Sequence, residues 1–367
     1  MPSALYYGWD IGGAQLKVAV VDGAGVLQAV LQLPSPLWKG LPHLDKALSE
    51  VHARLPVAAA FHAVTMTGEL SDIFSDREQG VRTLTSYFLS HYNANGVWFY
   101  AGSQGLIGAD AAAQYSAAIA SANWHASATF TATRCADGML IDIGSTTTDI
   151  LVLRHNQVRY QGYSDAERLQ CGELLYTGVV RTPVMAVARW APFYGDWQTM
   201  MAEHFASMAD VHVINGSLRE YPEWAETADK SGRCPLDCGR RLGRMLGRDM
   251  AEGEWPRWRA LAQYLAGVQT HTIRRSLERV LSRHDCLDSA PLIGAGVGRF
   301  IVVDLARQLG RRYIDFSELM DGSDPLREMA AVCAPATALA HLLKGISVHS
   351  ECPPSQGRED MGQSRFK

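Results

Sequence analysis

The tightest constraint on this chain is a turn that occurs twice. Asp10-Ile11-Gly12-Gly13-Ala14-Gln15 separates the apolar run LYYGWDI (5–11) from LKVAVV (16–21). Asp142-Ile143-Gly144-Ser145-Thr146-Thr147-Thr148-Asp149 separates MLIDIG (139–144) from TDILVLR (148–154). The two Asp-Ile-Gly turns stand 132 residues apart. Each joins the first two strands of a three-strand meander, completed by VLQAVLQL (26–33) in the first case and QVRYQG (157–162) in the second. One Asp-Gly turn between apolar runs is ordinary hairpin chemistry. Two matched turns in matched settings point to a duplicated unit with a cleft between the halves.

The segments after each meander support that division. Residues 42–54 and 80–91 carry a helical period, 57–66 and 97–101 read as apolar strands, and 109–130 is alanine-rich with helix expected in parts. After the second meander, helical stretches are expected over 236–250 and 256–284, a strand over 290–293, a helix over 299–309 and a last helical run over 325–345. Strands first in a meander and then alternating with helices predict an α/β fold of mixed sheets flanked by helices. At 367 residues the chain has the length of two domains. The expected division is a first lobe over 1–134 and a second over 135–324, with a C-terminal helix over 325–346 packing back on the first lobe. The polar, proline-containing stretch 347–367 has no period and reads as a disordered tail.

Composition removes whole classes of function. With 34 Lys+Arg against 38 Asp+Glu the formal charge is −4, which argues against nucleic acid or an acidic membrane surface as the main partner. No apolar run approaches the roughly 20 residues of a membrane span. The first residues lead into a strand without a basic segment or small-residue cleavage site, so no secretory signal is expected. Seven scattered cysteines suit a reducing compartment, and the cytoplasm is the expected location. Cys234-Pro-Leu-Asp-Cys238 lacks a second ligand pair and is not read as a zinc site.

The turns carry the chemistry. Glycines let backbone N–H groups approach a phosphate without a Cβ in the way. Gly12, Gly13, Ala14 and Gln15 in one turn, and Gly144, Ser145, Thr146 and Thr147 in the other, are the candidate diphosphate or nucleotide cradle. Asp10 and Asp142, at the strand ends, are the candidate Mg2+ ligands, since carboxylate oxygens suit that hard ion. Lys17 flanks the first turn. A third glycine-rich stretch, with Gly294, Gly296 and Gly298, follows a strand and opens a helix, which suits an anion or nucleotide moiety. Thr67, Glu69 and Asp72 follow a buried-looking strand, where polar residues commonly face a ligand crevice. Arg77 either pairs with those acids or grips an anion. Asn123 and Trp124 are candidate walls of the site.

In combination these motifs resemble the acetate kinase, sugar kinase, heat-shock chaperone and actin superfamily, and within it the hydantoinase/oxoprolinase-like branch. Gly8-Trp9-Asp10-Ile11-Gly12-Gly13-Ala14, Thr65-Met66-Thr67-Gly68-Glu69-Leu70-Ser71-Asp72, Ala122-Asn123-Trp124 and Tyr176-Thr177-Gly178 with Arg181-Thr182-Pro183 are similar to archaeal and methylotroph members linked to tetrahydromethanopterin-dependent one-carbon transfer. The resemblance, over roughly residues 6–345, implies a two-lobed actin-like (ribonuclease H-like) ATPase fold. It implies a synthase of methanofuran or methylofuran biosynthesis. Such an enzyme joins an aminomethylfuran methyl diphosphate to the phenol of a glutamyl-tyramine or tyrosine unit, releasing diphosphate. Lys17, Glu69, Asp72 and Asp149 are then the catalytic candidates, and Thr67, Arg77, Trp124 and Glu173 the substrate candidates. Small-molecule diphosphate and phenolic partners, Mg2+ and a homodimer are expected. An ATP-dependent kinase or an oxoprolinase-type hydrolase of the same fold is the alternative. Oxoprolinase-like members follow the two glycines with Thr and an acid, whereas Ala14-Gln15-Leu16-Lys17 stands here.

Overall fold

Both meanders form, and each seeds a sheet. The computed structural model describes residues 4–56, 60–219, 225–250, 253–283 and 289–347. β1 (Leu5–Ile11), β2 (Gln15–Asp22) and β3 (Leu27–Pro34) are antiparallel neighbours. Helix α1 (Pro42–Arg54) then crosses over, so that β4 (Phe61–Met66) lies parallel to β1. Helix α2 (Arg77–Leu89) does the same for β5 (Val97–Tyr100), and β6 (Leu106–Gly108) closes the edge. The six-stranded order is β3-β2-β1-β4-β5-β6.

Helices α3 (Ser116–Ile119) and α4 (Asn123–Arg134) lead to the second sheet. There β7 (Gly138–Ile143), β8 (Thr148–Arg154) and β9 (Gln157–Arg159) repeat the meander. Next come α5 (Asp165–Cys171), β10 (Leu174–Leu175), a separate hairpin of β11 (Trp190–Phe193) and β12 (Asp196–Thr199), and helices α6 (Met208–Asn215), α7 (Pro235–Arg244) and α8 (Trp255–Leu281). Strand β13 (Leu292–Ala295) lies parallel to β7, as β4 lies parallel to β1. Helix α9 (Arg299–Gln308) and β14 (Tyr313–Asp315) follow, giving the order β10-β8-β7-β13-β14 with β9 paired to β8. Two helices end the described chain, α10 (Asp324–Val332) and α11 (Ala334–Ser347).

The strands nearest the turns are apolar on both faces because both faces are covered. Tyr7, Trp9 and Ile11 of β1 pack with Leu44, Leu48, Leu84 and Phe88 of α1 and α2. On the other face of the first sheet, Tyr6, Ala19 and Val21 share a core with Ala334, Ala336, Ala340 and Leu343 of α11 and with Phe130 of α4. Leu140, Leu151 and Ile293 of the second sheet join that same core. The outer face of the second sheet packs Ile141 and Ile150 against Trp258, Leu261 and Leu265 of α8. The architecture is thus a two-lobed α/β fold whose sheets sandwich α4 and α11. Gly8 explains how closely α11 sits, because a Cβ there would stand 1.9 Å from the Ala336 carbonyl oxygen.

Several expectations are corrected. The last helical run is two helices meeting at 107°. Pro335 has no N–H to give and fits only a first turn, so a new helix starts beside it. The helix expected over 236–250 stops at Arg244, and Gly247 turns left-handed (φ +64°). The apolar run 57–66 holds a strand only from Phe61, with 57–59 outside the described residues. The tail beyond Ser347 also lies outside them. Among the described residues no single helix is long and apolar enough to cross a membrane. The bent pair α10 and α11 passes that test only together, and α11 is packed in the core.

Candidate active site

The two turns share their backbone geometry. In the first, the Gly12 N–H donates to the Gln15 carbonyl at 2.9 Å, and in the second the Gly144 N–H donates to the Thr147 carbonyl at 2.9 Å. Register then places Asp10 across from Lys17, and Asp142 across from Asp149. The Lys17 Nζ lies 3.4 Å from Asp10 Oδ2. Burial works against the Lys17 ammonium, but Asp10 and Asp142 outweigh it and hold its pKa above the ordinary lysine value.

The second turn has no such cation of its own. Its cation arrives from α5: Arg168 Nη2 donates to Asp149 Oδ1 at 2.8 Å while the guanidinium stacks 4.1 Å over the Trp124 ring. Ser164 and Glu167 form a capping box that starts α5 and so fixes where Arg168 falls. Even so, carboxylates crowd here. Burial, with Asp149 and Asp10 adding to it and Lys17 opposing, pushes Asp142 up to about 7. Burial also raises Asp149 above the usual carboxylate range, against the pull of Arg168.

Each turn is tied to a segment that brings further side chains to the cleft. The Ser35 and Leu37 N–H groups donate to the carbonyls of Ala14 and Gly13, which sets Trp38 beside the first turn. On the other side Val179 donates to Gly144, and both Val180 and Arg181 donate to Ser145. That approach needs Gly178, whose Cβ would stand 2.4 Å from the Thr146 nitrogen. Trp38 and Arg181 meet across the cleft, the guanidinium 5.0 Å from the ring centroid.

The enclosed space is a cleft of roughly 430 Å3. It brings together Asp10, Gly12, Gly13, Ala14, Gln15 and Lys17 from one turn, and Ser145, Thr146, Thr147 and Asp149 from the other. Thr67 and Asp72, beyond the end of β4, line it too. Asp142 and Gly144 line a smaller adjoining recess with Lys17 and Asp149. Gly13 has no atom within 4 Å of where a Cβ would stand.

Other expected site residues sit elsewhere. Trp124 is buried behind Arg168 as its stacking platform and does not wall the cleft. Glu173 is buried, accepts the N–H groups of Gln161 and Gly162, and pairs with Arg283, so it organises the β9–β10 region. Gly294, Gly296 and Gly298 do not cradle a nucleotide. The Gly296 and Gly298 N–H groups donate to Ala331 and Ile143, and Cβ atoms there would stand 2.3 Å from the Ile143 carbonyl oxygen and 2.4 Å from its side chain. A Cβ on Gly294 would stand 2.8 Å from the Tyr313 ring. These glycines let the third loop close on the second turn. Arg77 reaches the other lobe instead, pairing with Asp165 at 2.5 Å. Glu69 is buried one layer behind the cleft and accepts from Ser121 at 2.7 Å.

Sequence reasoning missed Trp38, Leu70, Ser121, Asp165, Arg168, Tyr176 and Arg181 as cleft residues. The Ser-Asp-Ala-Glu box at 164–167 was a usable signal for the helix that carries Arg168. Nothing local marks Trp38 or Ser121.

Known proteins resemble this chain in sequence and in fold. The chain is 26% identical over 338 residues to (4-{4-(2-(gamma-L-glutamylamino)ethyl)phenoxymethyl}furan-2-yl)methanamine synthase of Methanocaldococcus jannaschii, spanning 92% of this chain and 97% of that one. The protein of the same name from Methanococcus vannielii is 32% identical over 91 residues, 25% of this chain and 40% of that one. The nucleotide-free structure of an acetone carboxylase described as acting by ATP-dependent carboxylation superposes with a TM-score of 0.57 at 9% identity, over 93% of this chain and 70% of that one, a likeness of fold alone. The hydantoinase/oxoprolinase family model matches residues 61–343, and the chain belongs to that family.

Proposed function

We propose that this protein is a transferase that condenses an aminomethylfuran methyl diphosphate with the phenol of a glutamyl-tyramine or tyrosine unit, forming an aryl ether and releasing diphosphate. That reaction belongs to the biosynthesis of a methanofuran- or methylofuran-type carrier for tetrahydromethanopterin-linked one-carbon metabolism. The observation that carries the reading is the pair of matched turns, one from each sheet, opening on a single cleft. It is joined by the likeness to the named archaeal synthase across nearly its whole length.

The donors suit a Mg2+–diphosphate pair. Asp10 Oδ1 is buried without a hydrogen-bond partner, and Asp142 faces Asp149 with its charge uncompensated by any guanidinium of its own. Among the described residues no group of three acids, histidines or cysteines forms a metal cage. That fits an ion held by one or two carboxylates and the substrate's own phosphates. Asp10 and Asp142 would hold it, and it would neutralise charge on the departing diphosphate. Lys17 and the two turns would orient the phosphates. Trp38, Leu70 and Tyr176 give the mouth of the cleft exposed aromatic and apolar surface for two aromatic rings. Arg181 also lines the cleft, makes no ion pair among the described residues and suits an anionic end of either substrate.

The test is product analysis with purified protein and Mg2+. One reaction holds the furan diphosphate with glutamyl-tyramine or glutamyl-tyrosine, and a second holds ATP with the phenol alone. Diphosphate and an ether-linked mass from the first, with nothing from the second, is the expected result. ADP and orthophosphate from the second without coupling in the first would overturn the transferase reading.

A further inference from the structure

The reaction proposed above needs an acceptor for the phenol proton, since a phenol of pKa about 10 is a poor nucleophile when protonated. Most carboxylates at the cleft are already committed. Asp10 is paired with Lys17, Asp149 with Arg168 and Asp165 with Arg77. Asp72 is exposed.

Behind the wall stands a different kind of group. Glu69 is 1% exposed, its Oε1 accepts from Ser121 Oγ at 2.7 Å, and its Oε2 is buried with no partner. Gly80 of α2 is what shuts it in, because a Cβ there would stand within 2.8 Å of the Glu69 backbone and Cβ. Ser121 itself lines the cleft. It sits after Ala120, which bridges Met66 at the end of β4, and just before α4. Its φ is +50°, a left-handed conformation that glycine adopts freely and serine does not. A strained serine at the cleft wall, bonded to a buried acid with a spare oxygen, has the geometry of a proton relay.

We infer that Ser121 is a catalytic residue that takes the phenol proton while passing its own hydroxyl proton to Glu69, an assignment that rests on the transferase reading. The phenolic O–H bond breaks and that proton moves to Ser121 Oγ as the serine proton moves to Glu69 Oε1. The freed electron pair on the aryl oxygen forms the new C–O bond to the furan methylene. The bond from that carbon to the diphosphate oxygen breaks, and diphosphate leaves with its electron pair. Glu69 returns the proton by the reverse route after product departs. Glu69 touches no substrate and is a positioning residue. Its surroundings fit the role: burial pushes its pKa up to about 7, with the Ser121 hydrogen bond opposing, and the charged groups facing it, Arg77 and Asp165, act in opposite directions.

Two variants test this. Ser121→Gly relieves the left-handed strain and removes only the hydroxymethyl group, so the fold is expected to be kept. It is expected to lower kcat for ether formation by about 100-fold with KM for the phenol within threefold. Binding of inorganic diphosphate with Mg2+, measured by calorimetry, should be unchanged. In the wild type kcat should rise with pH through about 7 as Glu69 ionises. Glu69→Gln and Ser121→Gly should both lose that rise. Rates within twofold of wild type in Ser121→Gly, or a retained rise in Glu69→Gln, overturn the relay while wild-type coupling keeps the transferase reading intact. Absence of coupling in the wild type overturns both.

Discussion

The two Asp-Ile-Gly turns are copies in backbone and opposites in charge. Asp10 faces Lys17 at the register position where Asp142 faces Asp149. One half carries its counter-charge on the neighbouring strand, and the other borrows it from Arg168, on a helix outside the meander. Duplication has therefore preserved the cradle and released the side chains. The first turn is complete once its hairpin forms, whereas the second depends on α5 being docked. Asymmetry of this kind sets an acid–lysine pair in one turn against two facing acids in the other, which a symmetric repeat could not supply.

The largest effect that should separate the halves is on stability. Arg168→Ala leaves Asp149 buried without its cation, and removing one partner of such a pair costs roughly 3–5 kcal/mol. Lys17→Ala removes a partner that is partly exposed and 3.4 Å from its acid, and should cost under half as much. Equal losses in urea titrations would erase the distinction between the two halves.

Next in size is a dependence on pH. The folded pKa of Glu69, about 7, lies above its ordinary value of 4.5. Its neutral form therefore supports the fold fully below pH 4.5, and that support is lost as pH rises through 7. Glu69→Gln removes the titration. Its unfolding free energy relative to wild type should rise between pH 5 and pH 8 by on the order of 2–3 kcal/mol. A constant difference across that range would contradict the burial described.

Smaller still, Asp10→Asn and Asp142→Asn should move stability in opposite directions by about 1 kcal/mol each. The first strips Lys17 of its partner, and the second relieves repulsion with Asp149. Thermal melts in metal-free buffer would resolve the signs, and both variants should lose Mg2+-dependent coupling. The smallest effect expected is that of Gly13→Ala, within about 0.5 kcal/mol of wild type because nothing stands near the new methyl group. It should nonetheless weaken diphosphate binding in calorimetry. A fall in stability instead would mean that the turn is closed where the structure has it open.

The turns were legible in the sequence because everything they need is local: glycines, an acid at the strand end and apolar runs on either side. Asp10, Lys17, Asp142 and Asp149 could all be named before their positions were known. What joins them was not legible. Arg168 reaches Asp149 through the docking of α5, and Trp124, which looked like a wall of the site, is the surface on which that guanidinium lies. The glycines at 294, 296 and 298 suit a phosphate loop and a packed loop equally well. Only the positions of Ile143, Tyr313 and Ala331 decide between them. Ser121 gives no local sign at all, since its interest lies in a dihedral angle and in a partner 52 residues away.

Gly8 has a bearing on the order in which the molecule is made. It lies under the carbonyl of Ala336, so the face of β1 that carries Tyr6 is covered by a segment made 328 residues later. Until α11 emerges, that face of the sheet holding Asp10 has only part of its cover, the part that α4 supplies. A nascent sheet in that condition invites wrong partners and needs shielding during translation. A message truncated just before Ala334 would encode both turns and every cleft residue, yet its product would lack the helix that closes the first sheet.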